Sequence, residues 1–134
     1  MSHLYGNIDL TVAGPQSEIQ KVTGMLRDVE YTRGHEAGLR NEFLSEWELA
    51  VAQSEPDADG SMEVNLNQFF EAAHIALQLI ERIGTGFEQL GVFVGASMAD
   101  SVTDEDTDFW ARKEPGDEAW YDDDGLFDMA DSYW

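Results

Sequence analysis

The sequence predicts an all-α protein: an antiparallel hairpin of two long helices that dimerises into a four-helix bundle. Three observations carry this. From Leu66 to Val102 apolar residues recur every three or four positions (Leu66, Phe69/Phe70, Ala73, Ala76/Leu77, Ile80, Ile83, Phe87, Leu90, Val94, Met98, Val102). A repeat near 3.5 describes one long helix with a coiled-coil seam. Residues 15 to 54 carry a similar spacing, and the sharpest break in the chain, Glu55 to Ser61 with proline, glycine and three acids, lies between the two. Arms of about 40 residues, each ~60 Å long as a helix and joined by a turn at 55–65, form a helical hairpin.

Taken in order, Asn7 to Ala13 alternates, with Ile8, Leu10 and Val12 on one side and Asn7, Asp9 and Thr11 on the other, so residues 1–14 read as a short extended arm. Pro15 suits a first helical position and Glu18 the first turn, where the helix dipole favours an acid. Ile19, Val22, Leu26 and Val29 then keep helical spacing. It resumes after a polar patch at Arg33, Gly34 and His35 with Leu39, Phe43, Trp47 and Ala50/Val51, and 36–53 is rich in Glu, Ala, Leu, Arg and Gln. In the second arm Gly84, Gly86, Gly91 and Gly95 each cost a helix about 1 kcal/mol, yet the apolar phase runs through them. The hairpin spans 15–104. Ile75, Leu79 and Val92 or Phe93 lie off its seam and leave apolar surface for another chain, which predicts a dimer, homo- or hetero-.

Charge restricts the partners. With 28 acidic residues against seven basic ones the net charge is −21. Such a surface repels nucleic acid and anionic membrane, so a charged partner is basic. There is no cysteine, which removes disulfides and thiolate metal sites. Met1 to Gly14 has no basic segment followed by an apolar one, and no run approaches the ~18 apolar residues of a membrane span. The expectation is a protein in the cytoplasm or exported without a cleaved leader.

Residues 99–134 hold 13 acids against Arg112 and Lys113, a net of −11, interleaved with Phe109, Trp110, Trp120, Tyr121, Phe127, Tyr133 and Trp134. An acidic tail, 105–134, is ordinarily a solvated segment, but acidic-aromatic segments also dock on basic or apolar surfaces. Candidate partner-binding residues there are Trp110, Trp120, Tyr121, Asp122, Asp123, Asp124, Phe127 and Asp131. Trp47 with Phe43 is a further candidate: the pair either plugs the closed end of the hairpin against Phe69 and Phe70, or anchors a partner's pocket.

The arm Ile8-Asp9-Leu10-Thr11-Val12, two helices of equal length and a tail together resemble the WXG-type helical hairpins, including the Esp-like relatives, of type VII secretion systems, over residues 7 to 110. Trp47 is followed by Glu48 and Leu49 rather than by the family's Trp-x-Gly, and Tyr121 by Gly125 rather than by an acid four positions on. Looser aromatic-acid pairs at that distance are Trp110/Glu114, Trp120/Asp124 and Phe127/Asp131. The resemblance implies a leaderless secreted protein, or its co-secreted partner, that works through its surface and meets the secretion machinery with its tail.

No pattern points to catalysis, a cofactor or a metal. Glu55, Asp57, Asp59, Gly60 and Met62 fit positions 1, 3, 5, 6 and 8 of a calcium loop, but the bidentate carboxylate of position 12 is Leu66. His3, His35 and His74 are too scattered for zinc. Glu42 and Glu46 form an ordinary helix-surface pair. No serine sits in a nucleophile elbow and no glycine-rich phosphate loop follows a strand.

Three alternatives use the same residues differently. Carboxylates fixed in a ladder on a folded surface would mimic nucleic acid and occupy the basic groove of a DNA-binding or DNA-cutting protein. Asn7–Ala13, Glu46–Gln53, Met62–Asn67 and Leu90–Met98 can also be read as strands of a β-α-β-β-α-β ferredoxin-like domain, with a hairpin turn at Asp57 to Gly60. Its opening resembles ferredoxin-like proteins of phages and plasmids, but 36–53 is poor strand material. Finally, acidity can reflect a salty cytoplasm, which the presence of only two lysines fits and the clustering of charge in one quarter of the chain does not.

Overall fold

Alternating strands, not two long helices, form the centre of this chain. The computed structural model describes residues 4–29, 34–103, 106–122 and 124–132, with 34–37 and 107 described as backbone only. The elements run β1 (Leu4–Pro15), α1 (Gln16–Asp28), α2 (Gly34–Ala52), β2 (Ser61–Phe70), α3 (Ala73–Gly86), β3 (Gly91–Asp100), β4 (Asp106–Lys113) and α4 (Leu126–Asp131). The strands form one antiparallel sheet in the order β2-β1-β3-β4. This is an α+β fold, and the all-α hairpin is corrected.

The supposed N-terminal arm is the middle of the sheet. β1 pairs with β2 from Gly6↔Phe70 to Pro15↔Ser61 and with β3 from Leu4↔Asp100 to Ala13↔Gly91. Its Leu4, Ile8, Leu10 and Val12 are buried, as period-two alternation demands of a strand with one covered face.

The long helix expected over Leu66 to Val102 is instead the end of β2, α3 and β3. Positions 90, 94 and 98 fit a four-residue step and a two-residue step equally well. Val92 and Ala96, buried with them, decide for the strand. Asn65 and Asn67 are poor helix residues and exposed, while Met62, Val64 and Leu66 turn inward beside them. The first helix is likewise two. α1 ends at Asp28, Val29 turns to extended backbone (φ −63°, ψ 124°), and Arg40 from α2 donates to the carbonyls of Leu26 and Arg27 at 3.0 and 2.7 Å. A guanidinium on the last carbonyls of a helix satisfies acceptors that would otherwise lack donors and complements the dipole.

Helix over 36–53 survives as α2, so of the four strands in the ferredoxin-like alternative Glu46–Gln53 fails and the other three stand. The chain also leaves that topology. α3 connects β2 to β3, two mutually parallel strands with β1 between them, and β4 follows β3 as a hairpin. The turn at Asp57 to Gly60 joins α2 to β2; Gly60 takes φ 85° there and its carbonyl accepts from the Gln16 N–H at 2.9 Å, holding the start of α1 beside it. The calcium-loop reading meets Leu66 packed in the core.

The core lies between the sheet and the helices. α3 is buried along nearly its whole length, Ile75 and Leu79 included, because the sheet covers one side and α2 and α4 the others. The off-seam surface from which a dimer was inferred is thus covered by the chain itself, apart from Phe93, which is exposed. Trp47 and Phe43 are fully buried. The Trp47 Nε1–H donates to Thr23 Oγ1 at 2.9 Å, and the Phe43 ring meets Phe70 at 5.9 Å.

Nor is 105–134 a loose tail among its described residues. β4 zips onto β3, and Tyr121 returns to bridge Arg112. Trp120 then lies on Gly84 of α3, donating to the Glu81 carbonyl at 3.3 Å and packing on Phe127 at 4.7 Å. The Asp122 carboxylate accepts from the Leu126 and Phe127 N–H groups at 2.8 and 3.1 Å, which starts α4. Among the described residues no helix is long and apolar enough to cross a membrane.

Two substitutions test this packing. A Cβ at Gly84 would fall inside the Trp120 indole. Gly84→Ala is therefore expected to destabilise the fold by about 1–3 kcal/mol despite alanine's better helix propensity. It should also speed amide exchange over 120–131 more than elsewhere. The buried Lys113 ammonium donates to the carbonyls of Glu88 and Leu90, both at 3.0 Å. Lys113→Met leaves both carbonyls without that donor and is expected to cost about 1–3 kcal/mol, measured as a lowered urea midpoint.

Candidate functional site

The helices cover one face of the sheet and leave the other to solvent, so the side chains alternating outward on four strands form a continuous surface. Three registers cross its centre from β2 to β4. They are Phe69–Asn7–Ser97–Asp108, Asn67–Asp9–Gly95–Trp110 and Asn65–Thr11–Phe93–Arg112. Strands about 4.8 Å apart hold these groups in a fixed array.

Gly95 makes the array concave. Having no side chain, it lies in the floor of a shallow recess of about 560 Å³, lined by Asn7, Asp9, Asn67, Gly95, Ala96, Ser97, Asp108 and Phe109. A second depression of about 270 Å³, lined by Thr11, Ala13, Gly91, Val92, Phe93, Arg112, Lys113 and Glu114, continues along β3. Asp9, Glu63, Asp106 and Asp108 face outward here against Arg112. Arg112 is occupied: its guanidinium carbon lies 5.9 Å from the centre of Trp110 and 5.3 Å from that of Tyr121, whose rings stack at 5.8 Å. Both rings stay exposed, at 42% and 47%.

The candidates read from sequence divide between this face and the interior. Trp110 and Tyr121 stand together on the open surface. Trp47, Phe43 and Phe127 are buried and present nothing to a partner, and Trp120 is half-buried under α4. Asp122 caps α4, Asp124 and Asp131 are exposed, and Asp123 lies outside the described residues. Asn7, Asp9, Asn67, Gly95 and Asp108 were missed as a site. Their signal was the polar half of the alternation in 7–11 and 63–67, which acquires meaning only once β1 and β2 are adjacent.

Acids also crowd the opposite end. Burial holds Glu81 on α3 above the usual carboxylate range, with Asp131, Asp128 and Asp122 adding repulsion, and partial desolvation of its carboxylate, then repulsion from Asp128, raises Asp131, although its side chain reaches solvent. The described residues include no group of three or more His, Cys, Asp or Glu placed to hold a metal ion. No family model, curated protein or solved structure matches the chain.

Carboxylates raised in the folded state bind protons there that the unfolded chain has already lost. Stability conferred by their protonation is present at low pH and falls as pH rises through the raised folded values. The unfolding midpoint is therefore expected to be higher at about pH 5 than at pH 7, with Glu81→Gln flattening the difference. Thermal melts of the two proteins across that range check it.

Proposed function

We propose that this chain is a non-enzymatic interaction protein that docks its carboxylates on a basic protein surface, one that otherwise receives nucleic acid. The observation that carries this is where the charge sits. Acids stand on the open sheet and on the folded C-terminal segment, while most of the basic side chains are engaged by groups of the same chain. Lys21 pairs with Glu18, Arg27 with Glu48, Arg40 closes α1, Lys113 is buried and Arg112 is stacked on aromatic rings. A rigid, unneutralised acidic surface attracts a basic groove over long range and competes with phosphate for it.

Recognition of the C-terminal segment by a secretion apparatus drew its support from the two-helix architecture, which this fold lacks. Two of the aromatics in the segment's aromatic-acid pairs are also packed into the fold, with Phe127 in the core and Trp120 against α3. Carboxylates held on strands favour mimicry of a polyanion instead.

The test is displacement. A purified basic DNA-binding domain carrying a labelled duplex is titrated with this protein while anisotropy is followed. The protein is expected to release the DNA, with its affinity for the domain falling at least about tenfold between roughly 50 and 200 mM salt. Absence of binding at low salt, or binding indifferent to salt, would sink the reading.

A further inference from the structure

We infer that the recess over Gly95 seats an arginine side chain of the protein partner. This deepens the proposed function, on which it rests, by assigning the contact to one place and one side-chain type.

The recess has what a guanidinium needs. Asp9 pairs with Gly95 in register and lines the recess, and Trp110, Gly95's partner on the other side, is stacked on Tyr121 outside its lining. Asp108 and Asn7 lie one register along, and Asn67 stands beside Asp9. A planar fork of N–H donors meets carboxylates two bonds at a time, and its remaining N–H groups donate to amide oxygens such as those of Asn7 and Asn67. A lysine ammonium uses the charge alone. The same surface already holds one guanidinium against aromatic rings, that of Arg112 beside Trp110 and Tyr121.

Charge complementarity selects the occupant. A second copy laid on this face would set Asp9, Asp106 and Asp108 against themselves on a chain of net charge −21. A basic partner meets opposite charge over the same area. The missing side chain also costs the sheet something, since glycine in a strand interior is weaker than a β-branched residue, and nothing here crowds position 95: a Cβ would meet only Phe93 Cε1, at 3.8 Å.

That clearance gives a test that leaves charge untouched. Labelled nona-arginine and nona-lysine peptides are titrated against the full chain, Gly95→Val, Asp9→Asn/Asp108→Asn, and Glu42→Gln/Glu55→Gln, whose exposed acids lie away from the open face. Circular dichroism melts confirm that each variant folds. Wild type is expected to prefer arginine over lysine, and both recess variants to lose about tenfold or more for nona-arginine while the remote pair stays within about twofold. Nona-arginine binding by Gly95→Val equal to wild type, or equal losses in the two double variants, overturns the recess and leaves an interaction governed by overall charge. Failure of wild type to bind either peptide at low salt removes the proposed function as well.

Discussion

Every layer of this molecule is hung on β1. It is the inner strand that joins β2 to the β3–β4 hairpin, ten residues in register with β2 and ten with β3, so its backbone hydrogen bonds are satisfied in both directions. Its inward row, Ile8, Leu10 and Val12, is wholly buried against the helices. A one-residue slip would turn those side chains to water and bring Asn7, Asp9 and Thr11 into the core. Apolar burial inside and a polar, acidic array outside are therefore two results of a single register.

Much of this was legible, but not at the level of fold class. α2 could be read from composition, because Glu, Ala, Leu and Arg favour helix whatever surrounds them. β1 showed its alternation plainly. What failed was the stretch from Leu66 to Val102, where Leu90, Val94 and Met98 satisfy helical and strand periods together. The glycines, each an expense to a helix, were the better guide: Gly84 and Gly86 close α3, Gly91 opens β3 and Gly95 shapes its outer face. Of the aromatics expected to plug a hairpin, Phe43 meets Phe70 between α2 and β2, while Phe69 stands exposed on the open face. The site was harder, since its residues come from four strands and no local pattern links Asn67 to Asp108.

The acidic aromatic segment shows why composition misleads at a C-terminus. Thirteen acids in 36 residues suggest a solvated tail. Yet three aromatics and a glycine on another element suffice to fix much of it: Trp120 lies where Gly84 makes room, Phe127 packs on Trp120, and Tyr121 bridges back to β4. Acids between them remain outside, and one of them, Asp122, supplies the acceptors that the first turn of α4 lacks.

The position of β1 in the sheet also dictates how the protein is made. A strand whose two partners begin at residues 61 and 91 leaves the ribosome with neither available. Its greasy row must wait, unpaired, while two helices, a neighbouring strand and a crossover are synthesised. Assembly is then dominated by contacts distant in sequence, which slows folding and prolongs exposure of a sticky edge. The dense negative charge that suits this surface to a basic partner also holds nascent copies apart during that interval.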